Sequence, residues 1–541
     1  MNLGGDTYES VRSLFRWQVP SRVNIAEVIV ARHARSTPTA PALIHVGDDG
    51  SQRVWTFAEV DDKASRLANA LGTLGVGRGD VVGVHLPQSP ECLIAHVAIL
   101  KRGAIVLPLF RLFGPEALGY RLENSGARAF ITVNAEWVRV RDDLAPLVAP
   151  DRLATIVTVG SAPHPAHSFW HLVDAAGADH AAADTSADDP AVMIYTSGTT
   201  GNPKGALHAH RVLYGHLPGV MLPQERFPQA GDRFWTPADW AWIGGLLDVL
   251  WPSLFHGVAV LSSTRQKFDP EWAFDFMARH GVRNVFMPPT ALRLMRQVAH
   301  PRARFGYDVR SIASGGETLG ADLIAWGRET FGLTFNEFYG QTECNLVVGN
   351  CASLFEVNPG SMGRAIPGHE VEIVDDAGRT LPCGTPGIVA VRAPDPVMML
   401  EYWRNPEATA AKFRGAWLLL GDIAVKDEQG YFWFQGRDDD IINSSGYRIG
   451  PGEVEDCLGR HPAVRLSGVV GLPDPVRGEV VAAFVVLNDG FVPDDGLAAA
   501  IQAFVRERLA AHEYPRVIRF IDEMPMTVTG KIRRKDLRES G

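Results

Sequence analysis

Cysteine is scarce in this chain and is poorly spaced for either of its structural uses. The 5 residues, Cys92, Cys344, Cys351, Cys383 and Cys457, are odd in number, scattered and without a CxxC pair. That excludes a disulfide framework or a zinc ribbon as the organising feature and points to a reducing compartment. Long basic runs are missing too. The 52 basic and 62 acidic residues leave a formal charge of -10, no basic stripe interleaves with aromatics, and nucleic acid is not an expected partner. No run of about 18 apolar residues occurs, so no transmembrane segment is expected. The opening MNLGGDTYESVRSLFRWQVP lacks the apolar centre of a signal peptide, and the closing RRKDLRESG is neither a peroxisomal nor a retention address. A cytoplasmic location is the expectation, with small molecules as partners.

What is present fits a folded enzyme of several domains. A chain of 541 residues is too long for one compact core, and 46% apolar with 21% charged residues is ordinary for a globular protein. Apolar runs alternate with amphipathic stretches (VVGVHL, PECLIAHVAIL, AIVLPL; later RNVFMP, TALRLMRQVAH), the rhythm of βαβ units around a largely parallel sheet. Around TLPCGTPGIVAVRAPDP the texture turns to short runs broken by Pro and Gly, which predicts a small antiparallel, β-barrel-like subdomain. At GRDDDIINSSGYRIGPGEVE acidic residues and glycines crowd between an aromatic run and a new helical pattern. A boundary is placed there, giving a large α/β domain over residues 1–436 and a small α+β domain over 437–541.

The stretch YTSGTTGNPKG, Tyr195 to Gly205, carries hydroxyl donors on Thr196, Ser197, Thr199 and Thr200, backbone N–H groups freed by Gly198 and Gly201, and the charge of Lys204. Such a loop suits a phosphate chain. It is not a P-loop, because Lys204 is followed by Gly205 and Ala206 where a magnesium-holding hydroxyl is needed.

YTSGTTGNPKG resembles the signature loop of the adenylate-forming superfamily of acyl-CoA synthetases, luciferases and peptide-synthetase adenylation domains. SGGETLG (Ser314 to Gly320), YGQTE (Tyr339 to Glu343), LLLGD (ending at Asp422), GRDDDIINSSGYRIGPGEVE (Gly436 to Glu455) and MPMTVTGKIRR (Met524 to Arg534) match the same family in the same order. Length and the absence of a carrier domain make the acyl-CoA synthetases of the acetyl and medium-chain type the nearest resemblance. It implies ATP, Mg²⁺ and coenzyme A as reactants and cofactor, and two half-reactions, acyl-AMP formation followed by thioester formation. Loading of a carrier protein, or an aryl-CoA ligase, is the alternative.

The resemblance also implies roles. Lys204 and its loop take the phosphates, Thr342 the α-phosphate, Glu343 the magnesium. Gly315, Gly316 and Glu317 lie against adenine, Tyr339 and Gln341 belong to the nucleotide site, and Asp422 accepts from the ribose with Arg437 in support. Lys531 is the adenylating lysine, and a lysine acetyltransferase and deacetylase acting on it would be regulatory partners. Gly446 and Tyr447 flank the pantetheine path, Arg448 meets a phosphate and Arg506 the CoA nucleotide, with Asp439 the pivot of a mobile C-terminal domain. Acetate-using relatives carry Trp where this chain has Gly340, so an acid larger than acetate is expected, each added methylene contributing about 0.8 kcal/mol on burial. Trp240, Trp242 and Trp251 are candidates for the channel walls.

Overall fold

The computed structural model describes residues 3–149, 152–196, 202–265, 267–437, 440, 442–444, 447–474, 477–509, 514–527 and 530–541. The expected parallel core is present twice. In a 14-stranded sheet, six neighbouring strands run parallel in the order Asn336–Gln341, Ser311–Gly315, Asn284–Phe286, Arg233–Trp235, Ala259–Ser263, Pro41–Val46. An 8-stranded sheet has a second parallel series from Pro190–Tyr195 through Ile105–Pro108 and Val81–His85 to Ala129–Val133 and Thr155–Val159.

Helices fill the space between the two sheets. PECLIAHVAILK (Pro90–Lys101) and VLYGHLPGVM (Val212–Met221) are apolar almost all round, and every residue is buried except Glu91; a helix with no polar face has to be covered on all sides. Its start is set locally: the Ser89 side chain accepts from Cys92 N–H, and Pro90 takes the first helical position, where no N–H is needed. One apolar cluster joins Val84, Val106 and Ile194 of the smaller sheet to Val260, Phe286 and Phe338 of the larger one through these helices.

The Pro- and Gly-broken segment is antiparallel as expected. Its strands Gly363–Ala365, Val371–Val374, Gly387–Arg392, Trp417–Lys426 and Tyr431–Arg437 are hydrogen-bonded onto the large sheet, continuing it beyond the hairpin of Asn336–Gln341 and Cys344–Gly349. A third sheet of 5 strands contains the long pair Val464–Asp474 and Gly478–Leu487. Helices Pro451–Leu458 and Asp495–Arg506 cover one of its faces through Val454, Leu458, Ile501 and Val505, while Met524 and Leu537 pack with Val470 and Phe484 in a separate cluster. Where this unit meets the large sheet the backbones nearly touch: a Cβ on Gly450 would lie 1.7 Å from the Gln435 carbonyl oxygen. Only glycine fits there.

Candidate active site

The glycine-rich loop is the connection of a β-hairpin. Strand Pro190–Tyr195 pairs antiparallel with Gly205–Ala209, and Thr196 N–H donates to the Lys204 carbonyl at 2.9 Å, closing the neck. Ser197, Gly198, Thr199, Thr200 and Gly201 lie outside the described residues. Lys204 is half-buried, and its Nζ lies 5.3 Å from the ring centroid of Tyr402, within reach of a cation–π attraction.

Tyr402 leads to the second motif. Its hydroxyl donates to Glu343 Oε1, and Glu343 is 8% exposed at the turn between Asn336–Gln341 and Cys344–Gly349, beside Thr342. Strand alternation then sorts the rest of YGQTE. Tyr339 and Gln341 share a face: the Tyr339 hydroxyl and Gln341 Nε2 donate to Asp422 Oδ2 at 2.6 and 2.5 Å. Asp422, 5% exposed, is thereby held as an oriented acceptor, and it sits opposite Arg437 in the register of the adjacent strand.

Strand Ser311–Gly315 delivers the third motif. A Cβ on Gly315 would fall 2.4 Å from the Phe338 ring, so the strand end can lie flat on its neighbour only without a side chain. Gly316 has φ +95°, and its Cβ position is 3.4 Å from the Trp242 ring and 3.9 Å from Lys531 Cε. Lys531 sits on a turn closed by Thr527, whose N–H donates to the Lys531 carbonyl at 2.7 Å and whose Oγ1 accepts from Lys531 N–H at 3.0 Å. The lysine of the C-terminal unit thus reaches the glycine-rich strand end of the large one. Glu317 is turned aside: Arg293 Nη1 and Thr290 Oγ1 donate to its Oε2 at 3.2 and 3.4 Å.

Gly340 faces away from Asp422. Its Cβ direction is closed, with Leu346 N at 2.3 Å and Asn345 Oδ1 at 2.6 Å, so the glycine here is required by the hairpin itself and does not leave an open slot the size of an indole. Asn345 Nδ2 donates to Asp248 Oδ1 at 2.7 Å and to His216 Nε2 at 3.2 Å, and all three residues are buried. Burial pushes the Asp248 carboxyl well above the usual range. Of the three tryptophans, Trp242 is half-buried and touches the site, packing on Phe286 at 5.5 Å between centroids. Trp240 and Trp251 are 1% and 0% exposed and belong to the core between the sheets.

Asp439 and Gly446 lie outside the described residues; Arg437, Tyr447 and Arg448 are placed as strand positions only. Arg506 is exposed at the end of Asp495–Arg506, 5.6 Å from the Tyr514 ring centroid. Sequence reasoning missed Tyr402, Arg293 and the Asp248–Asn345–His216 set. Asp248, a single acid inside the apolar WIGGLLDVLW, was the one legible signal among them.

Residues 30–403 match the family described as AMP-binding enzyme, and residues 453–531 the AMP-binding enzyme C-terminal domain. The acetyl-coenzyme A synthetase of Bacillus subtilis (strain 168) is 35% identical over 528 residues, covering 96% of this chain and 90% of that protein. The mitochondrial acyl-coenzyme A synthetase ACSM2B of Homo sapiens is 36% identical over 533 residues, covering 96% and 91%. Among solved structures, the anthranilate CoA ligase AuaEII in complex with anthranoyl-AMP superposes with a TM-score of 0.87 at 29% identity, covering 96% of this chain and 98% of the other.

Proposed function

The chain belongs to the AMP-binding enzyme family, and from that premise we infer that it is an AMP-forming acyl-CoA synthetase. In the first half-reaction a carboxylate oxygen attacks the α-phosphorus of ATP, the bond to the bridging oxygen breaks, and pyrophosphate leaves. In the second, the sulfur of coenzyme A attacks the acyl carbon, AMP departs with the acyl–oxygen bond electrons, and the thiol proton is released. Activation has to come first, because a free carboxylate would have to expel oxide.

The first step builds charge on the α-phosphate and the departing pyrophosphate, so fixed cations and donors carry the catalysis. The observation that carries this reading is the approach of Lys531 and Trp242 to Gly316, together with an Asp422 held by Tyr339 and Gln341. On this reading Lys531 neutralises the α-phosphate, Thr342 donates to it, Lys204 and the Thr196–Gly201 loop take the outer phosphates, and Asp422 accepts from the ribose. Gly315 and Gly316 let adenine lie against bare backbone, while Glu317 acts through Arg293.

Among the described residues no group of three or more His, Cys, Asp or Glu forms a metal site. One buried carboxylate at the phosphate end fits Mg²⁺, which typically takes one or two carboxylates and completes its shell with substrate phosphates and water. Glu343, oriented by Tyr402, would hold it; when bound, the ion neutralises phosphate charge.

The same reading divides the chain at 436/437, with Asp439 as pivot, Gly446, Tyr447 and Arg448 along the pantetheine path, and Arg506 toward the CoA nucleotide. It makes Lys531, which is exposed, the residue at which acetylation would switch the enzyme off by removing its charge. No described helix is long and apolar enough to cross a membrane, and Cys92, Cys344, Cys351 and Cys383 are free thiols, in keeping with a reducing cytoplasmic setting. An acid larger than acetate is favoured on the likeness to an anthranilate CoA ligase, which keeps aryl acids in view, and not on an open slot at Gly340. Pyrophosphate release across a panel of alkyl and aryl acids, with and without coenzyme A, tests this. Release from no acid removes the ligase reading, and thioester formed on a carrier protein but not on coenzyme A replaces the acceptor.

A further inference from the structure

We propose that Asp248, Asn345 and His216 form the floor of the acyl pocket and select a carboxylic acid that carries a protonated amine at its far end. The proposal rests on the ligase reading and names the substrate class for that same site.

Position comes from the strand of YGQTE. Tyr339 and Gln341 point to Asp422 and the ribose side, so Gly340 between them faces the other way, and Asn345 Oδ1 lies 2.6 Å from its Cβ direction. The acid has to lie on that opposite face if the nucleotide occupies the first. Trp242 marks the reacting end, being packed at Gly316 beside Lys531. Asp248 follows six residues later in the helical run Ile243–Leu250, on the order of 9 Å further along it at about 1.5 Å per residue. Several carbons of an acid span that distance. The segment Leu246–Leu250 is a π-helical turn, a form that is rare and concentrates at functional sites.

Chemistry comes from counting donors. His216 Nδ1 is 2.8 Å from the Val212 carbonyl, which accepts only, so the proton sits on Nδ1 and Nε2 is an acceptor. Asn345 therefore presents Nδ2 to His216 at 3.2 Å and spends its other N–H on Asp248 Oδ1 at 2.7 Å. Every N–H in the set is used. What remains is acceptor capacity: the rest of the Asp248 carboxyl and Asn345 Oδ1. Asp248 is 4% exposed and has no Lys or Arg partner among the described residues. Burial lowers the pKa of His216 to about 4, so it brings no charge. A buried carboxyl with one amide donor and no cation beside it is held toward its protonated form, and an ammonium supplies the cation that lets it ionise together with donors for the acceptors left over.

The test compares each ω-amino acid with the acid in which methyl replaces the ammonium: γ-aminobutyrate with valerate, δ-aminovalerate with hexanoate, ε-aminocaproate with heptanoate, and para-(aminomethyl)benzoate with para-ethylbenzoate. ATP and coenzyme A are present, and kcat/KM is read from pyrophosphate release. The full-length protein should favour at least one amine over its partner by about tenfold or more, and Asp248→Leu should invert that preference. Where Asp248→Leu does not fold, Asp248→Asn, which keeps the shape and loses the charge, should still weaken it. Preference for the methyl acid in every pair, or equal loss on both members in a folded variant, overturns the proposal while leaving the ligase reading in place. ε-Hydroxycaproate turned over as well as ε-aminocaproate overturns the cation. Release from no acid at all, benzoate and medium-chain acids included, takes down the ligase reading and the proposal with it.

Discussion

Lys531 Cε lies 3.9 Å from the point where Gly316 would carry a side chain. Gly316 follows the end of strand Ser311–Gly315 in the large sheet, and Lys531 sits on a turn of the C-terminal unit, which also meets the large sheet where Gly450 packs on Gln435. On the proposed reading their contact is the arrangement in which the C-terminal unit contributes a cation to the nucleotide site, and the thioester step, which has to admit the sulfur of coenzyme A to the acyl carbon, calls for a different one.

That difference separates the half-reactions in Lys531→Ala. Losing one positioned donor from a charge-building step typically costs about 100- to 1000-fold. Acyl-AMP formation should fall by that factor. Conversion of supplied acyl-AMP to acyl-CoA should be retained within a few fold. Single-turnover measurement of each step checks it, and equal loss in both would remove Lys531 from adenylation.

For Gly340 the structure revises the expectation drawn from sequence. Gly340, in place of the Trp that acetate-using relatives carry, was expected to leave space for an acid larger than acetate. With Leu346 N at 2.3 Å and Asn345 Oδ1 at 2.6 Å from the Cβ direction, even Gly340→Ala has to push backbone apart. Overpacking of that kind costs about 1–3 kcal/mol. We expect Gly340→Ala to lower the Tm and reduce activity with all acids together, and Gly340→Trp to fail to fold. A folded Gly340→Trp with a shortened acid profile would restore the original idea.

The parallel strands were legible because strands covered on both faces read as plain apolar runs, and the glycine-rich motifs because their backbone geometry leaves little choice of residue. The contacts that finish the site were not. Tyr402 and Glu343 are 59 residues apart and meet because a two-residue strand, Glu401–Tyr402, adds to the edge beside the glycine-rich loop. Asp248 and Asn345 are 97 apart. Nor does composition distinguish Trp242, which touches Gly316, from Trp240 and Trp251, which do not leave the core. Pairings across sheets depend on register and crossing geometry, neither of which leaves a local pattern.

Glu337, at the start of the YGQTE strand, is 4% exposed, and burial lifts its carboxyl to about 8, the Leu319 N–H pulling the other way and Asp456 adding to the rise. The folded protein then holds this proton to higher pH than the unfolded chain does. Its contribution is complete below the ordinary value of 4.5 and is lost as pH rises through about 8. Glu337→Gln keeps an acceptor for Leu319 and removes the titration. Its Tm should exceed that of the parent protein above pH 8, with the gap closing as pH falls toward 4.5. A gap independent of pH would place the effect elsewhere.

The last prediction concerns how the Lys531 turn is carried. Arg534, three residues on, grips Glu455 with Nη2 at 2.8 and 2.7 Å and lies 3.5 Å from Asp440, while Arg538 donates to Asp440 at 2.7 Å. Asp440 adjoins the proposed pivot, so a rotation at Asp439 would move the lysine as part of a rigid lever. Burial raises the Glu455 carboxyl despite its arginine partner, so in Arg534→Met the acid can take up a proton, and the loss of stability should stay well below the about 3–5 kcal/mol of an orphaned buried charge. The loss should fall on positioning instead. Arg534→Met is expected to slow acyl-AMP formation by about tenfold, the equivalent of about 1.4 kcal/mol at the barrier, and to leave thioester formation from supplied acyl-AMP nearly unchanged. Asp439→Pro should do the reverse when the trapped arrangement is the one seen here, because proline fixes φ near about -65° and blocks the turn. Acyl-AMP would then accumulate in a burst while CoA-dependent turnover collapses. If both variants instead lose both half-reactions equally, the lever joining Lys531 to Asp440 plays no part in switching between them.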